Sequence, residues 1–168
     1  TYLDKALYTI RLGHLNEYTV NFDANGGKGQ MEDQNFLYSI EQALSKNEFS
    51  KTGYSFTGWN TDKSGNGIAY ADEEKVLNLT AENGGTVTLY AQWAVNKYKV
   101  TFDANGGETV SETKTLGYGS KYGNLPTTTR EGYTFLGWFT AAEGGQQVGV
   151  DVKTVKIADD HVLYAHWE

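Results

Sequence analysis

Residues 18–27 read Tyr18-Thr-Val-Asn-Phe-Asp-Ala-Asn-Gly-Gly27, and the same pattern returns 80 positions later as Tyr98-Lys-Val-Thr-Phe-Asp-Ala-Asn-Gly-Gly107. In the first copy Tyr18, Val20 and Phe22 alternate with polar residues, which predicts a half-buried β-strand. The Asn-Gly pair that follows favours positive φ angles, so the pattern predicts a hairpin at the end of this strand.

Two further motifs repeat in the same order. Residues 53–59 (GYSFTGW) match residues 132–138 (GYTFLGW) at an offset of 79, and residues 89–93 (LYAQW) match residues 163–167 (LYAHW) at an offset of 74. Three ordered matches predict a tandem repeat. The fall in offset places a deletion of about five residues between the second and third motifs, where loops tolerate it.

The repeats divide the chain into three predicted segments. Repeat 1 with its linker covers residues 17–96, and repeat 2 covers residues 97–168. Residues 1–16 form a leader in which Tyr8, Ile10 and Leu12 alternate with polar residues, as the last strand of a preceding module would. The linker 94–96 has only three residues, so we expect a semi-rigid rod.

The composition excludes several classes of function. With 39% hydrophobic and 14% aromatic residues the chain can form packed cores, so global disorder is not expected. A formal net charge of −7 disfavours polyanions such as nucleic acid and heparin. There is no cysteine for disulfides or thiol chemistry, and no apolar run long enough for membrane insertion. We expect a monomer.

A short helix is predicted in repeat 1. Ser39 can cap the first turn, Gln42 can reach back in a capping box, and Ile40, Ala43 and Leu44 form an apolar stripe. The corresponding residues 118–126 of repeat 2 contain two glycines before a proline, which permits one helical turn at most.

The second and third motifs predict further strands. Tyr54 and Phe56 share one face of a strand, and Gly58 is expected to form a bulge that redirects Trp59. Repeat 2 offers the same pattern, with a bulge at Gly137 before Trp138. In the closing strands, one face carries Leu89, Ala91 and Trp93, or Leu163, Ala165 and Trp167. An aromatic-rich sheet packed on a short helix would satisfy these patterns, which gives an α+β fold class.

The joint pattern FDANGG, GYxFxGW and LYAxW resembles the Listeria–Bacteroides repeat and is similar to the B-repeat of internalins. Both copies contain all three motifs, and together they cover about nine-tenths of the chain. The resemblance implies two tandem small β-grasp-like modules, mostly β with a short helix, in a secreted or wall-attached bacterial protein. It implies no catalytic residue. The weak helix segment of repeat 2 departs from that pattern.

One stretch has the spacing of a calcium loop. Asp62, Ser64, Asn66 and Glu73 place oxygen ligands at positions 1, 3, 5 and 12, with Gly67 at position 6. An EF-hand needs a flanking helix on each side, however, whereas strands are predicted here, and repeat 2 has alanine at the first position. The sequence therefore favours a polar hairpin turn over a calcium site.

Four tryptophans and twelve tyrosines could form a platform for stacking sugars. The tryptophans recur at strand positions that share a face with other apolar residues, and a module of this size needs large aromatics to fill its core. We therefore predict that Trp59, Trp93, Trp138 and Trp167 are core residues.

No catalytic, cofactor-binding or metal-binding residue is predicted. His14, His161 and His166 are scattered, and His166 falls on the face opposite Leu163 and Ala165, where solvent exposure is expected. The many carboxylates do not define an acid–base pair. A Lys–Asn isopeptide cross-link would lower the intact mass by one ammonia, and the sequence leaves it open.

These patterns predict a non-catalytic repeat segment of a bacterial cell-surface or secreted protein, acting as a stalk, spacer or adhesion module outside the cell. The alternative is a module that binds carbohydrate or a host ligand through exposed aromatics, with repetition supplying avidity. A host-surface protein or a glycan is then the expected partner, and no cofactor is expected. An enzyme is disfavoured because no nucleophile–base arrangement stands out.

Overall fold

The computed structural model describes residues 16–168. These residues divide into two compact units, one made of residues 16–51 and 56–93, the other of residues 52–55 and 94–168. The leader strand predicted around Tyr8, Ile10 and Leu12 lies outside the described residues. The segment boundaries drawn from the sequence at 16/17 and 96/97 stay predictions.

The first repeat contributes strands β1 (Glu17–Asp23), β2 (Gln34–Leu37), β3 (Gln42–Ala43), β4 (Tyr54–Asn60), β5 (Ala69–Tyr70), β6 (Lys75–Val76) and β7 (Gly85–Val95). The main sheet has the order β2-β1-β7-β4-β5, and β3 pairs with β6 separately. β1 runs antiparallel to β2 but parallel to β7. The chain therefore needs a long crossover between β1 and β7.

The second repeat contributes strands β8 (Lys97–Asp103), β9 (Lys114–Gly117), β10 (Phe135–Phe139) and β11 (His161–Trp167). Their order is β10-β11-β8-β9, with β8 antiparallel to β9 and parallel to β11. This repeats the order β4-β7-β1-β2 of the first sheet. The second half thus has a central parallel pair flanked by an antiparallel strand on each side, and the first half has the corresponding strand order.

The three repeated motifs meet in an aromatic cluster within each unit. In the first unit the ring of Trp59 lies 4.8 Å from Phe22 and 4.9 Å from Phe56, and Phe56 lies 5.7 Å from Trp93. Trp59 is fully buried and Trp138 is 3% exposed, so the prediction that both lie in the core is confirmed. The second unit has the matching pairs Phe102–Trp138 at 4.9 Å, Phe135–Trp138 at 5.5 Å and Phe135–Trp167 at 5.5 Å.

The predicted α+β class, two tandem small β-grasp-like modules that are mostly β with a short helix, is wrong. Residues 16–168 form strands and turns, and no helix occurs among them. The fold of the described chain is all-β. Within the same residues, nothing has the helical length and apolar character needed to cross a bilayer.

The segment expected to be helical is held extended by partners distant in sequence. Ser39 has a φ of 66°, outside the β region that a helix N-cap occupies, and its amide donates to Asn78 Oδ1 at 2.6 Å. Gln42–Ala43 form β3 and pair with β6. Leu44 enters the core while Ile40 stays 43% exposed, so the apolar stripe is not buried as a unit. A helix this short is marginal without such burial.

The glycine before each core tryptophan permits a close approach of the backbone. Gly58 has a φ of 134° and Gly137 a φ of 125°. A Cβ added at Gly58 would lie 2.7 Å from the carbonyl oxygen of Tyr70 on the neighbouring strand. In β10 the register shifts between Phe135 and Gly137, which confirms the bulge predicted there.

Replacing Trp59 or Trp138 by alanine should lower the free energy of unfolding by about 3–5 kcal/mol, because each substitution empties a buried site. Chemical denaturation followed by circular dichroism measures this loss. The control is Leu136→Ala, since Leu136 precedes the bulge glycine and is 41% exposed. An unchanged midpoint for the tryptophan variants would contradict the core assignment.

Candidate functional site

The FDANGG motif closes each module through an asparagine side chain. Asn25 follows β1 with a φ of 47°, and its own amide donates to Asp23 Oδ1 at 2.7 Å. Its side-chain Nδ2 donates to the carbonyl oxygen of Ala91 in β7 at 2.9 Å and to that of Lys63 at 3.0 Å. One amide therefore ties the end of β1 to β7 and to the loop after β4.

The second module contains the same connection. Asn105 also has a φ of 47°, and its amide donates to Asp103 Oδ1 at 2.8 Å. Its Nδ2 donates to the carbonyl oxygens of Ala142 and Ala165, each at 3.0 Å. The Asp-Ala-Asn segment is therefore a structural lock in both copies.

The third motif completes this lock through its tryptophan. Trp93 Nε1 donates to the carbonyl oxygen of Ala24 at 2.9 Å, and Trp167 Nε1 donates to that of Ala104 at 3.0 Å. The ring then passes so close to the second glycine of FDANGG that a Cβ on Gly27 would lie 2.8 Å from Trp93 Cζ2. Only glycine leaves room for the indole at this position.

The strand after FDANGG does return antiparallel, as the hairpin prediction requires, but the connection is long. β1 pairs with β2 from Glu17↔Leu37 to Val20↔Gln34. Between these strands the chain makes a turn at Asn25-Gly26 and then bridges Lys28 to Ser50. The Asn-Gly pair thus redirects the chain instead of joining two strands directly.

The stretch with calcium-loop spacing is the polar hairpin turn that the sequence favours. It joins β4 to β5, which pair through Asn60↔Ala69. Asp62 Oδ1 accepts hydrogen bonds from the Ser64 hydroxyl, from the Ser64 amide at 2.9 Å and from the Asn66 amide at 3.4 Å. These bonds, the Ser64 hydroxyl first, lower the pKa of Asp62 below its ordinary value.

Two of the remaining ligand positions, Ser64 and Asn66, form hydrogen bonds within the Asp62 loop. Glu73 lies beyond β5, in a turn where its φ is 56°. Across residues 16–168, histidine and carboxylate side chains form no group of three that could hold a metal ion. The absence of predicted catalytic, cofactor and metal residues stays a prediction.

The second module contains two histidines, His161 and His166, both in β11. His166 lies on the face opposite Leu163, but it is half-buried because its ring stacks on Phe139 with 3.9 Å between centroids. Its Nε2 lies 2.9 Å from the carbonyl oxygen of Ala141. His161 lies within 3.0 Å of the Tyr122 hydroxyl, a contact that the sequence pattern did not indicate. His14 lies outside the described residues.

Comparison with known proteins adds a family and several relatives. The family model of the Listeria-Bacteroides repeat domain matches residues 18–92 and again residues 98–166. Internalin H of Listeria monocytogenes is 37% identical over 151 residues, which are 89% of this chain and 25% of that protein. The prediction of two tandem copies is therefore confirmed.

Two proteins of Evansella cellulosilytica are also similar. One, named a putative Gly-rich membrane protein, is 38% identical over 136 residues, 77% of this chain and 16% of that protein. The other, named a putative membrane protein, is 37% identical over 155 residues, 92% of this chain and 21% of that protein. The chain thus spans a quarter or less of the curated relatives it matches.

Changing Asn25 or Asn105 to aspartate should destabilise the module that contains it by about 1–3 kcal/mol, because two carbonyl oxygens lose their donor and face a carboxylate instead. Denaturant unfolding monitored by tryptophan fluorescence measures the change. Asn66→Asp is the matched control, since the Asn66 side chain donates to the hydroxyl of exposed Ser64. Equal effects at Asn66 and Asn25 would contradict the proposed lock.

Melting curves recorded with millimolar calcium and with chelator should coincide. The reason is that Asp62 Oδ1 already accepts donors of its own loop, and the histidine and carboxylate side chains of residues 16–168 form no group of three that could hold the ion. The variant Asp62→Asn serves as the control. A calcium-dependent rise in melting temperature that this variant abolishes would overturn the hairpin-turn assignment.

Proposed function

Because this chain belongs to the Listeria–Bacteroides repeat family, we propose that it is a non-catalytic repeat segment that acts as a spacer in a bacterial surface protein. In this role the two modules separate other parts of the parent protein from the cell. Each module needs to be stable by itself and needs no shared active site.

The supporting observation is what the two copies have in common. The repeated asparagine donates to two backbone carbonyls, the repeated Trp93 and Trp167 donate to another, and the repeated Trp59 and Trp138 fill the cores. The features that recur are therefore those that hold a module together. This is the expected pattern when selection acts on the stability of a tandem unit.

The relatives support a place for the segment in a larger surface protein. They are named internalin H and putative membrane proteins, and the matched region is a minor part of each. By analogy we propose that this segment lies outside the cell, at the bacterial surface or in the cell wall. Attachment of the parent protein to the cell wall, and contact with any host partner, are part of the same proposal.

The alternative, glycan or host-ligand binding through exposed aromatics, receives less support. The rings of Trp59 and Trp138 are buried, and those of Trp93 and Trp167 pack against the cores. Tyr133 is 50% exposed, but the Arg130 guanidinium lies 3.9 Å from the centre of its ring. That cation–π contact occupies one face of the ring, so a sugar stacking there would have to displace Arg130.

A spacer should be replaceable by an unrelated segment of similar size. We expect a surface-displayed fusion of a reporter epitope, this chain and a wall anchor to bind an anti-epitope antibody as well as a fusion in which another all-β tandem segment replaces the chain. Flow cytometry on intact bacteria measures antibody access, and a fusion without any segment should bind less.

The same three strains decide between spacer and adhesin. Their binding to cultured host cells should be equal, because the spacer contributes distance and no host contact. If the strain with the authentic chain binds host cells and the replacement strain does not, the segment is an adhesion module and the spacer role is wrong.

A further inference from the structure

The two repeats differ in charge at the short strand pairing that forms where a helix was predicted. In repeat 1 the amide of Leu44 donates to the carbonyl of Glu74, and Val76 is buried. In repeat 2 Lys121 bridges Thr154, and the buried residue is Val155. Aligning the two buried valines places Lys153 at the position of Glu74 and Lys156 at that of Leu77.

Chemically, this difference exchanges an acidic surface for a basic one. Repeat 1 carries Asp72, Glu73 and Glu74 with one lysine, Lys75, around this pairing, whereas repeat 2 carries Lys153 and Lys156 with one acid, Asp151. The apolar Leu44 of the first core is matched by Tyr122, which is 2% exposed yet brings a hydroxyl group. The second module therefore has polar and cationic groups where the first has an acidic rim.

These groups line a cleft of about 590 Å³ in the second module. That size is within the range of small-molecule sites, roughly 300–1,000 Å³. Both lysines are exposed at the cleft, and Asp151 is the one acid among its lining residues. The charged side chains that line the cleft therefore carry a net positive charge. Asp151 Oδ2 already accepts a hydrogen bond from the Gln147 amide at 3.0 Å, so one carboxylate oxygen is committed to its own loop.

The orientation of the Tyr122 hydroxyl is held by a chain of hydrogen bonds. His161 Nδ1 lies 3.0 Å from the carbonyl oxygen of Asp159, so it carries the hydrogen and donates. Nε2 is then the acceptor for the Tyr122 hydroxyl, at 3.0 Å. This chain of hydrogen bonds fixes the buried Tyr122 side chain at the wall of the cleft.

Other lining groups supply donors and an apolar surface. Thr140 Oγ1 accepts the Gln146 amide at 3.0 Å, which leaves its own hydrogen free to donate. Val152 and the 40% exposed Ile157 add apolar surface beside the lysines. A hydroxyl donor, cations and an apolar surface together suit a ring that carries hydroxyls on its edge and one negative charge.

We propose that the cleft of the second repeat binds an acidic saccharide, with Lys153 and Lys156 attracting the carboxylate of a uronic acid. A polyanion is a worse fit. The cleft offers only two lysines beside one acid, and the chain as a whole has a net charge of −7, which repels a polyanion. The site uses cations and hydroxyls, not stacked tryptophans. The proposed saccharide site is independent of the proposed spacer role, because a segment that acts as a spacer can also bind a sugar of the bacterial cell wall.

Titration of the whole two-repeat chain with glucuronate, followed by amide ¹H–¹⁵N NMR at physiological ionic strength, tests this proposal. We expect saturable shifts at Lys153, Thr154 and Lys156, with much smaller shifts for neutral glucose. Lys153→Gln and Lys156→Gln should each weaken binding about tenfold, as the loss of one charge-assisted hydrogen bond predicts.

Matched controls separate a specific site from general charge attraction. Lys121→Gln removes the same charge from an exposed lysine that pairs with Thr154 but does not line the cleft, and it should leave binding unchanged. Glu74→Gln is the control at the corresponding position of repeat 1, which does not line the cleft. The proposal is overturned if glucuronate gives no saturable shift, if Lys121→Gln weakens binding as much as Lys153→Gln, or if inorganic phosphate binds equally well.

Discussion

The side-chain amide of one asparagine holds three separate segments of each module together. Asn25 Nδ2 reaches β7 through Ala91 and the β4–β5 loop through Lys63, while its backbone ends β1. β1 and β7 are parallel, so no tight turn can align them, and some other contact must set their register. The asparagine supplies that contact at the end of the pair, and the indole N–H of Trp93 reinforces it at Ala24.

This constraint explains which residues the motifs contain. Asparagine tolerates the left-handed backbone at position 25 better than most residues, and it has two side-chain hydrogens to share between two carbonyls. Gly27 must lack a side chain because the Trp93 ring occupies that space. The second repeat keeps the same residues at 105, 107 and 167, because the same closure has to be made again. In both modules, residues of the FDANGG motif and of the LYAxW motif therefore contact each other directly.

The sequence was sufficient for the parts of the fold that depend on local pattern. Alternation identified β1 and β8, repetition identified the two modules, and Gly137 marked a bulge that the register confirms. It failed where long-range partners override local preference. Ser39–Leu44 has a good helix pattern, yet Asn78 holds Ser39 in a left-handed conformation, and the Gln34 side chain bonds to both Ala43 and Ser45. The sequence around residue 39 does not indicate that Asn78 and Gln34 would be the partners of this segment.

The same reasoning separates the residues that can acquire function from those that cannot. A position in the lock or the aromatic cluster contacts several segments, so a change there costs stability in the whole module. The β3–β6 pairing of repeat 1 and its counterpart in repeat 2 have one buried face and one exposed face, and only the exposed face differs in charge between copies. Glu74 and Lys153 can therefore diverge while Val76 and Val155 stay buried. Duplication of a self-sufficient module leaves its exposed rim open to new chemistry, and the cationic cleft of the second repeat lies on that rim.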